Sequence, residues 1–159
     1  MHRRTLLKVG ISSFILNAVS INPLLADEKN AFPLVLSEEE WRKRLTDKQY
    51  YVLREEGTER PWSSPLNDEK REGTYVCAGC DLPLFESNKK FDSGTGWPSF
   101  WDAIPDSTKT KTDYKILFPR TEYHCARCGG HQGHVFNDGP KPTGKRWCNN
   151  GVALKFIPA

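Results

Sequence analysis

Four of the five cysteines in this sequence form two C-x-x-C pairs, Cys77 with Cys80 and Cys125 with Cys128. Each pair follows a β-prone stretch and is followed by turn residues. A redox-active C-x-x-C of the thioredoxin type lies at the start of a helix, and neither flank here readily continues as one. Two such turns supply four thiolates, a set that suits tetrahedral zinc and leaves no ligand position for water. We therefore predict one structural Zn²⁺ per chain, held by these four cysteines.

Other uses of the two pairs remain open at this point. The pairs are farther apart in sequence than those of an ordinary zinc ribbon, so the fold must bring them together. Iron in a rubredoxin-like site would use the same ligands, and two disulfides would suit an oxidising compartment. Metal analysis separates these alternatives.

Cys148 has no cysteine partner once the other four bind a metal. Arg146 lies two residues away, so in a strand both side chains would lie on one face, where the cation favours thiolate over thiol. Stabilisation of the thiolate is needed for reactivity because a free cysteine with a pKa of about 8.5 is only a few per cent ionised at neutral pH. We predict a reactive thiol; a buried, inert cysteine is the alternative.

The elements that would position these groups are short. Ser37 followed by Glu40 is a capping signal for one helix, and Thr46 with Asp47 begins a second that Gly57 should end. After Pro61, turn residues recur between β-prone runs at residues 74–76, 116–118 and 152–156. This alternation predicts an antiparallel β-rich body after two short helices.

Four longer motifs resemble one known family. Residues 94–100 (GTGWPSF), 131–139 (HQGHVFNDG) and 145–151 (KRWCNNG), with the helical stretch at 45–61, are similar to the B-type methionine-(R)-sulfoxide reductases. The resemblance covers about residues 35 to 158. It implies a mainly β fold in which two antiparallel sheets pack together behind short N-terminal helices, stapled by zinc.

The resemblance also implies roles for individual residues. Cys148 would be the nucleophile that attacks the sulfoxide sulfur. The sulfoxide oxygen would then need a proton, which a histidine can donate. The product would be methionine plus a sulfenic acid on the cysteine. The other residues that match the family's active site are His131, His134, Asn150 and Arg146 as catalytic groups, and Trp97 as the wall for the substrate methyl group.

Simpler interpretations stand beside these roles. His131 and His134 could form an auxiliary metal pair, His124 is interpreted as structural, and Asn150 could belong only to a tight turn. A tryptophan between glycine and proline is more often a packing residue than a substrate wall. We interpret the remaining tryptophans as packing residues: Trp41, Trp62, Trp101 and Trp147.

The sequence departs from the family at one mechanistic position. Many members have a second, resolving cysteine where this chain has Thr95. With the other cysteines committed to metal, the resemblance implies that an external thiol, either a thioredoxin-like protein or a small thiol, reduces the sulfenic acid.

The first residues are typical of an export signal. Arg3 and Arg4 precede an apolar run too short to span a bilayer comfortably, as in twin-arginine signals. We predict a signal at 1–26, cleaved after Ala26 or Ser20, a tail at 27–35, and a reductase domain at 36–159. The mature protein would be periplasmic, without stable membrane association.

The net charge of the chain indicates which binding partners it favours. The chain carries 23 basic and 20 acidic residues, interleaved to a net +3, which does not favour nucleic acid. We expect oxidised proteins carrying methionine-(R)-sulfoxide as substrates. The alternatives are a non-catalytic zinc module that binds proteins, a thiol-disulfide oxidoreductase and an iron-carrying electron-transfer protein.

Overall fold

The computed structural model describes residues 32–115 and 118–159. The predicted export signal at 1–26, the tail as far as residue 31, and residues 116–117 of one β-prone run lie outside the described residues. Within the described ranges, no helix combines the length and the apolar character that crossing a membrane requires.

Both predicted helices form, and their caps are the predicted ones. Helix α1 (Glu38–Arg44) begins after Ser37, whose Oγ accepts from the Glu40 amide while the Glu40 carboxylate accepts from the Ser37 amide. Helix α2 (Asp47–Leu53) begins with the same capping box. These reciprocal bonds satisfy amides that lack a partner within the helix, which is why each helix begins there. Helix α2 ends earlier than predicted, at Leu53 rather than next to Gly57.

In the described part of the chain, nine antiparallel strands form two sheets, as predicted. The smaller sheet has the order β2-β1-β9, with bounds β1 (Gly73–Cys77), β2 (Pro83–Glu86) and β9 (Leu154–Pro158). The larger has the order β3-β4-β8-β7-β6-β5, with bounds β3 (Lys90–Phe91), β4 (Ser99–Phe100), β5 (Thr108–Asp113), β6 (Arg120–Cys125), β7 (His131–Phe136) and β8 (Arg146–Asn149).

The strand predicted at 152–156 begins only at Leu154. A 3₁₀ helix at Gly151–Ala153 takes the preceding residues, because the carboxylate of Glu59 accepts hydrogen bonds from the amides of Gly151 (2.5 Å) and Val152 (3.0 Å). The run at 74–76 lies within β1 as predicted.

An aromatic core joins the two sheets. Phe85 of the smaller sheet stacks on Phe100 of the larger with ring centroids 4.2 Å apart, and Tyr75 meets the same ring edge-on. Tyr123 and Trp147 continue the core along the larger sheet. Because side chains alternate along a strand, the residues next to these aromatics face away from the core. The candidate site lies on that outer face.

Candidate active site

One row of paired residues crosses the larger sheet. Cys148 on β8 lies opposite Ser99 on β4 and opposite His134 on β7, and His134 lies opposite Glu122 on β6. Directly opposed residues of antiparallel strands share a face with their Cβ atoms about 5 Å apart. The sheet register therefore brings the single cysteine, a histidine and a carboxylate together from three separate stretches of sequence.

Burial and charge oppose each other at the Cys148 thiol. Its pKa is raised because it is largely removed from water, while the Arg146 guanidinium and the Thr95 hydroxyl both work to lower it. Arg146 is held in place by Asp138, which accepts from its Nε (2.9 Å) and its Nη2 (2.8 Å). Arg146 thus acts in the direction that the sequence indicated, but burial outweighs it and the pKa of Cys148 is raised above its ordinary value.

A chain of hydroxyls stands beside Cys148, at the position where many family members carry a second cysteine. The Thr95 hydroxyl lowers the pKa of the Cys148 thiol, and its Oγ1 lies 2.8 Å from the Oγ of Ser93. The Ser93 hydroxyl is also 2.8 Å from that of Ser99. The group next to the sulfur is therefore a hydrogen-bonding hydroxyl and not a thiol.

His131 is bound from behind by a buried carboxylate. Its Nδ1 donates to Oε1 of Glu122 at 2.5 Å, and the Nε2 of His124 lies 2.9 Å from the same oxygen. Burial works to raise the pKa of Glu122, but the bonds from His124 and His131 outweigh it and hold this pKa well below its usual range. The Nε2 of His131 is buried and has no hydrogen-bond partner among the described residues.

His134 has its own carboxylate. Its Nε2 lies 2.8 Å from Oδ2 of Asp113, which also accepts from Arg120 at 2.6 Å. Burial lowers the pKa of His134, although the Asp113 carboxylate partly offsets it. The rings of His131 and His134 lie 5.6 Å apart, centroid to centroid, each fixed by a different acid. Two separately fixed imidazoles suit proton transfer better than they suit a shared metal.

Asn150 and Trp97 are both tied to Glu59, which the sequence did not single out. The Asn150 amide accepts from the Glu59 amide at 3.0 Å and donates to the Gln132 carbonyl at 3.1 Å. The indole Nε1 of Trp97 donates to the Glu59 carbonyl at 3.2 Å. Asn150 is buried, and the bonds of its side chain to backbone groups fix its position. Trp97 remains half-exposed beside the loop that carries Thr95.

The two C-x-x-C turns meet at the junction of the two sheets. Cys77 ends β1 and Cys125 ends β6, and in each turn the carbonyl of the first cysteine accepts from the amide four residues on, at 2.9 Å. The Sγ atoms lie 3.7 Å apart for Cys77 and Cys128, and 3.4 Å for Cys80 and Cys125. All four lie within 4.8 Å of one another.

These distances fit a tetrahedral metal site. Zn–S bonds of about 2.3 Å place the sulfurs of a tetrahedron roughly 3.8 Å apart, close to the observed spacing, whereas disulfide sulfurs are about 2.05 Å apart. The Nε2 of Gln132 lies 3.3 Å from the Cys77 sulfur, a bond that favours the thiolate. The four cysteines thus form a buried cluster suited to one structural metal ion.

Several groups at the site were not predicted from the sequence. Glu122 on β6 bonds to His131, and Asp113 on β5 bonds to His134. The motif at 131–139 contains neither carboxylate and does not indicate them. Trp62, interpreted as a packing residue, is 66% exposed, so that interpretation is wrong. Trp41 and Trp147 are buried as expected.

Comparisons with known proteins agree with the resemblance. The SelR domain matches residues 45–158. The chain is 56% identical over 130 residues to a chloroplastic peptide methionine sulfoxide reductase B1 of Arabidopsis thaliana, covering 81% of this chain and 64% of that protein. Proteins named peptide methionine sulfoxide reductase MsrB match over 121 residues, 76% of this chain. They come from Methanosarcina barkeri (56% identity, 85% of its length) and Pseudomonas putida (57%, 91%). The chain therefore spans less than two thirds of the chloroplast relative.

Proposed function

Because the chain belongs to the SelR domain family, we propose that it reduces methionine-(R)-sulfoxide to methionine with Cys148 as the nucleophile. The observation that carries the proposal is the row in which Cys148 lies opposite His134, separate from the four-cysteine cluster. Cys148 shares a face with His134, whose ring centroid lies 5.6 Å from that of His131, while the sulfurs of the other four cysteines lie together.

The reaction balances with one thiol and one sulfoxide. The Cys148 sulfur, as thiolate, attacks the sulfoxide sulfur while the sulfoxide oxygen accepts a proton. The oxygen is then transferred to Cys148, the sulfide leaves as methionine, and the cysteine is left as a sulfenic acid. Cysteine sulfur is oxidised by two electrons and methionine sulfur is reduced by two. Two external thiols then return Cys148 to the thiol, forming one disulfide and one water.

The proton comes from His131. Its Nε2 has no partner among the described residues, and its Nδ1 is bonded to the Glu122 carboxylate, which fixes the orientation of the ring. His134, opposite Cys148 and bonded to Asp113, orients the substrate oxygen. Arg146 stabilises the thiolate as it forms, since its charge works against the burial of the sulfur.

The reductant is an external thiol, because Thr95 gives the sulfenic acid a hydroxyl neighbour and not a cysteine. The substrate methyl group packs against Trp97, whose indole is fixed by the Glu59 carbonyl. A fixed wall on one side of the sulfur favours one sulfoxide epimer over the other. Oxidised proteins are the substrates that we propose, with repair as the outcome.

The metal in the four-cysteine cluster is zinc in this proposal. Cys77, Cys80, Cys125 and Cys128 would hold it, and its contribution is to join β1 to β6 without taking part in the reaction. Four thiolates complete its coordination. Metal analysis of the purified protein tests zinc against iron, which would also give a visible absorption band.

Periplasmic location is part of the proposal and depends only on sequence. A full chain with Arg3 and Arg4 both changed to Lys should remain in the cytoplasm of a bacterial host, whereas the unchanged chain is exported. Export of the double variant by the same amount would exclude the twin-arginine route.

The direct test of function uses separated R and S epimers of a methionine sulfoxide peptide, with dithiothreitol as reductant. Loss of the R epimer alone is the expected result. A non-catalytic zinc module would consume neither epimer, and loss of the S epimer would overturn the stereochemical assignment.

A further inference from the structure

Trp62 is an exposed aromatic in a conformation that its residue type avoids. Its φ is 64°, in the left-handed region, and 66% of the residue is exposed to solvent. The other non-glycine residues with positive φ in the described ranges are two aspartates, a type that tolerates this region, and Glu56, which lies just after helix α2. Trp62 is thus the one large apolar residue among the described residues held in this way.

The surrounding structure fixes Trp62 to the loop that contacts Cys148. The Trp62 amide donates to the Gly96 carbonyl at 2.7 Å, and a Cβ on Gly96 would lie 2.9 Å from the Trp62 indole nitrogen. Gly96 itself has a φ of 88° and lies between Trp97 and Thr95, whose hydroxyl lowers the pKa of the Cys148 thiol. Trp62 therefore contacts Gly96, the residue between Thr95 and the proposed methyl wall Trp97.

Trp62 and Trp97 also line one cleft. This cleft has a volume of about 480 Å³, and its remaining lining includes charged side chains of both signs. Backbone strain that the surroundings enforce is a feature of functional sites, and exposed tryptophan is enriched where proteins bind one another. An exposed indole continuous with the Trp97 site is in position to contact the peptide on either side of a bound sulfoxide.

On the premise of the proposed function, we propose that Trp62 binds an apolar side chain adjacent to methionine sulfoxide in a peptide. The occupant is a polypeptide substrate, because a free amino acid whose methyl group packs on Trp97 has no neighbouring residue to reach Trp62. Trp62 thereby selects apolar sequence contexts, such as the segments that unfolding exposes.

The test compares two pentapeptides with a central methionine-(R)-sulfoxide, flanked by leucine in one and by aspartate in the other. The wild-type chain should favour the leucine peptide by about tenfold in kcat/KM, the ratio that a single well-packed aromatic contact supplies. Trp62→Gly, which suits the left-handed backbone, should reduce that ratio to near one. Trp62→Phe should restore most of it.

Ile157→Ala is the matched control, since Ile157 is 51% exposed on β9 of the other sheet. It should keep the wild-type ratio. An unchanged ratio in Trp62→Gly, or an equal loss on both peptides, would overturn the inference. Failure of the wild-type chain on both peptides would instead refute the proposed function, so the two failures are distinguishable.

Discussion

The Nδ1 of His131 and the Nε2 of His124 converge on a single oxygen of Glu122, at 2.5 and 2.9 Å. The carboxylate is 2% exposed, and its other oxygen lies 3.4 Å from the Lys111 ammonium. A buried carboxylate with three cationic or donating neighbours stays ionised, so it holds a negative charge directly behind the proposed proton donor.

Loss of that charge should slow the chemical step. We expect Glu122→Gln to lower kcat by roughly tenfold to a hundredfold, a part of the 10²–10⁴ that general acids contribute, with little change in KM. His124→Gln is the matched control and should lower kcat much less, because Glu122 and His131 remain paired. Equal losses in the two variants would contradict the role given to Glu122.

Arg146 and Asp138 should move the pH profile in opposite directions. Burial raises the pKa of Cys148, Arg146 lowers it and Asp138 raises it. Removing the guanidinium in Arg146→Gln therefore raises this pKa further and moves the alkaline rise of kcat/KM to higher pH. Asp138→Asn removes the charge that raises this pKa but keeps an oxygen that can accept from the Nε of Arg146, so it should move the rise to lower pH. The rate of iodoacetamide labelling at Cys148 against pH measures both, and movement in the same direction would refute this electrostatic account.

The four-cysteine cluster should decide whether the chain folds. Structural zinc contributes an apparent binding free energy of about 10–16 kcal/mol, comparable with the whole stability of a domain, about 5–15 kcal/mol. Cys125→Ser should therefore lose the metal and the cooperative thermal transition together. Cys148→Ser should retain both, since its sulfur lies outside the cluster. Metal analysis measures the metal content, and calorimetry measures the thermal transition. A stable, metal-free Cys125→Ser chain would contradict this prediction.

Thr95 offers a change of mechanism by one substitution. Its hydroxyl is close enough to the Cys148 sulfur to lower the pKa of the thiol, so Thr95→Cys should give a disulfide between residues 95 and 148 after one turnover, detectable by peptide mapping. Ser93→Cys is the control, because the Ser93 hydroxyl bonds to the hydroxyls of Thr95 and Ser99 and not to the thiol. If the sulfenic acid on Cys148 persisted in Thr95→Cys, the proximity of side chains 95 and 148 would be refuted.

Local features of this fold were predictable and pairings between distant strands were not. The capping boxes at Ser37 and Thr46 depend on neighbours three residues away, and the sequence located both helix starts. The end of α2 and the start of β9 were misplaced, the second because the carboxylate of Glu59 caps a turn at Gly151.

The same distinction holds for the site. Cys148 and its neighbours lie in short motifs, whereas Glu122 reaches His131 only because β6 pairs with β7 in one register, and a one-residue slip would turn it to the other face. The Trp62 amide bonds to the Gly96 carbonyl, a long-range contact that no local pattern in the sequence indicates.

A single-turnover trapping experiment tests the central claim, that one thiol reacts while four bind metal. The reduced chain is mixed with one equivalent of a methionine-(R)-sulfoxide peptide and then with dimedone, and its peptides are mapped by mass spectrometry. We predict one dimedone adduct, on Cys148, with the metal content unchanged. A disulfide between Cys148 and Cys77, Cys80, Cys125 or Cys128, or an adduct on any of those four, would contradict the account.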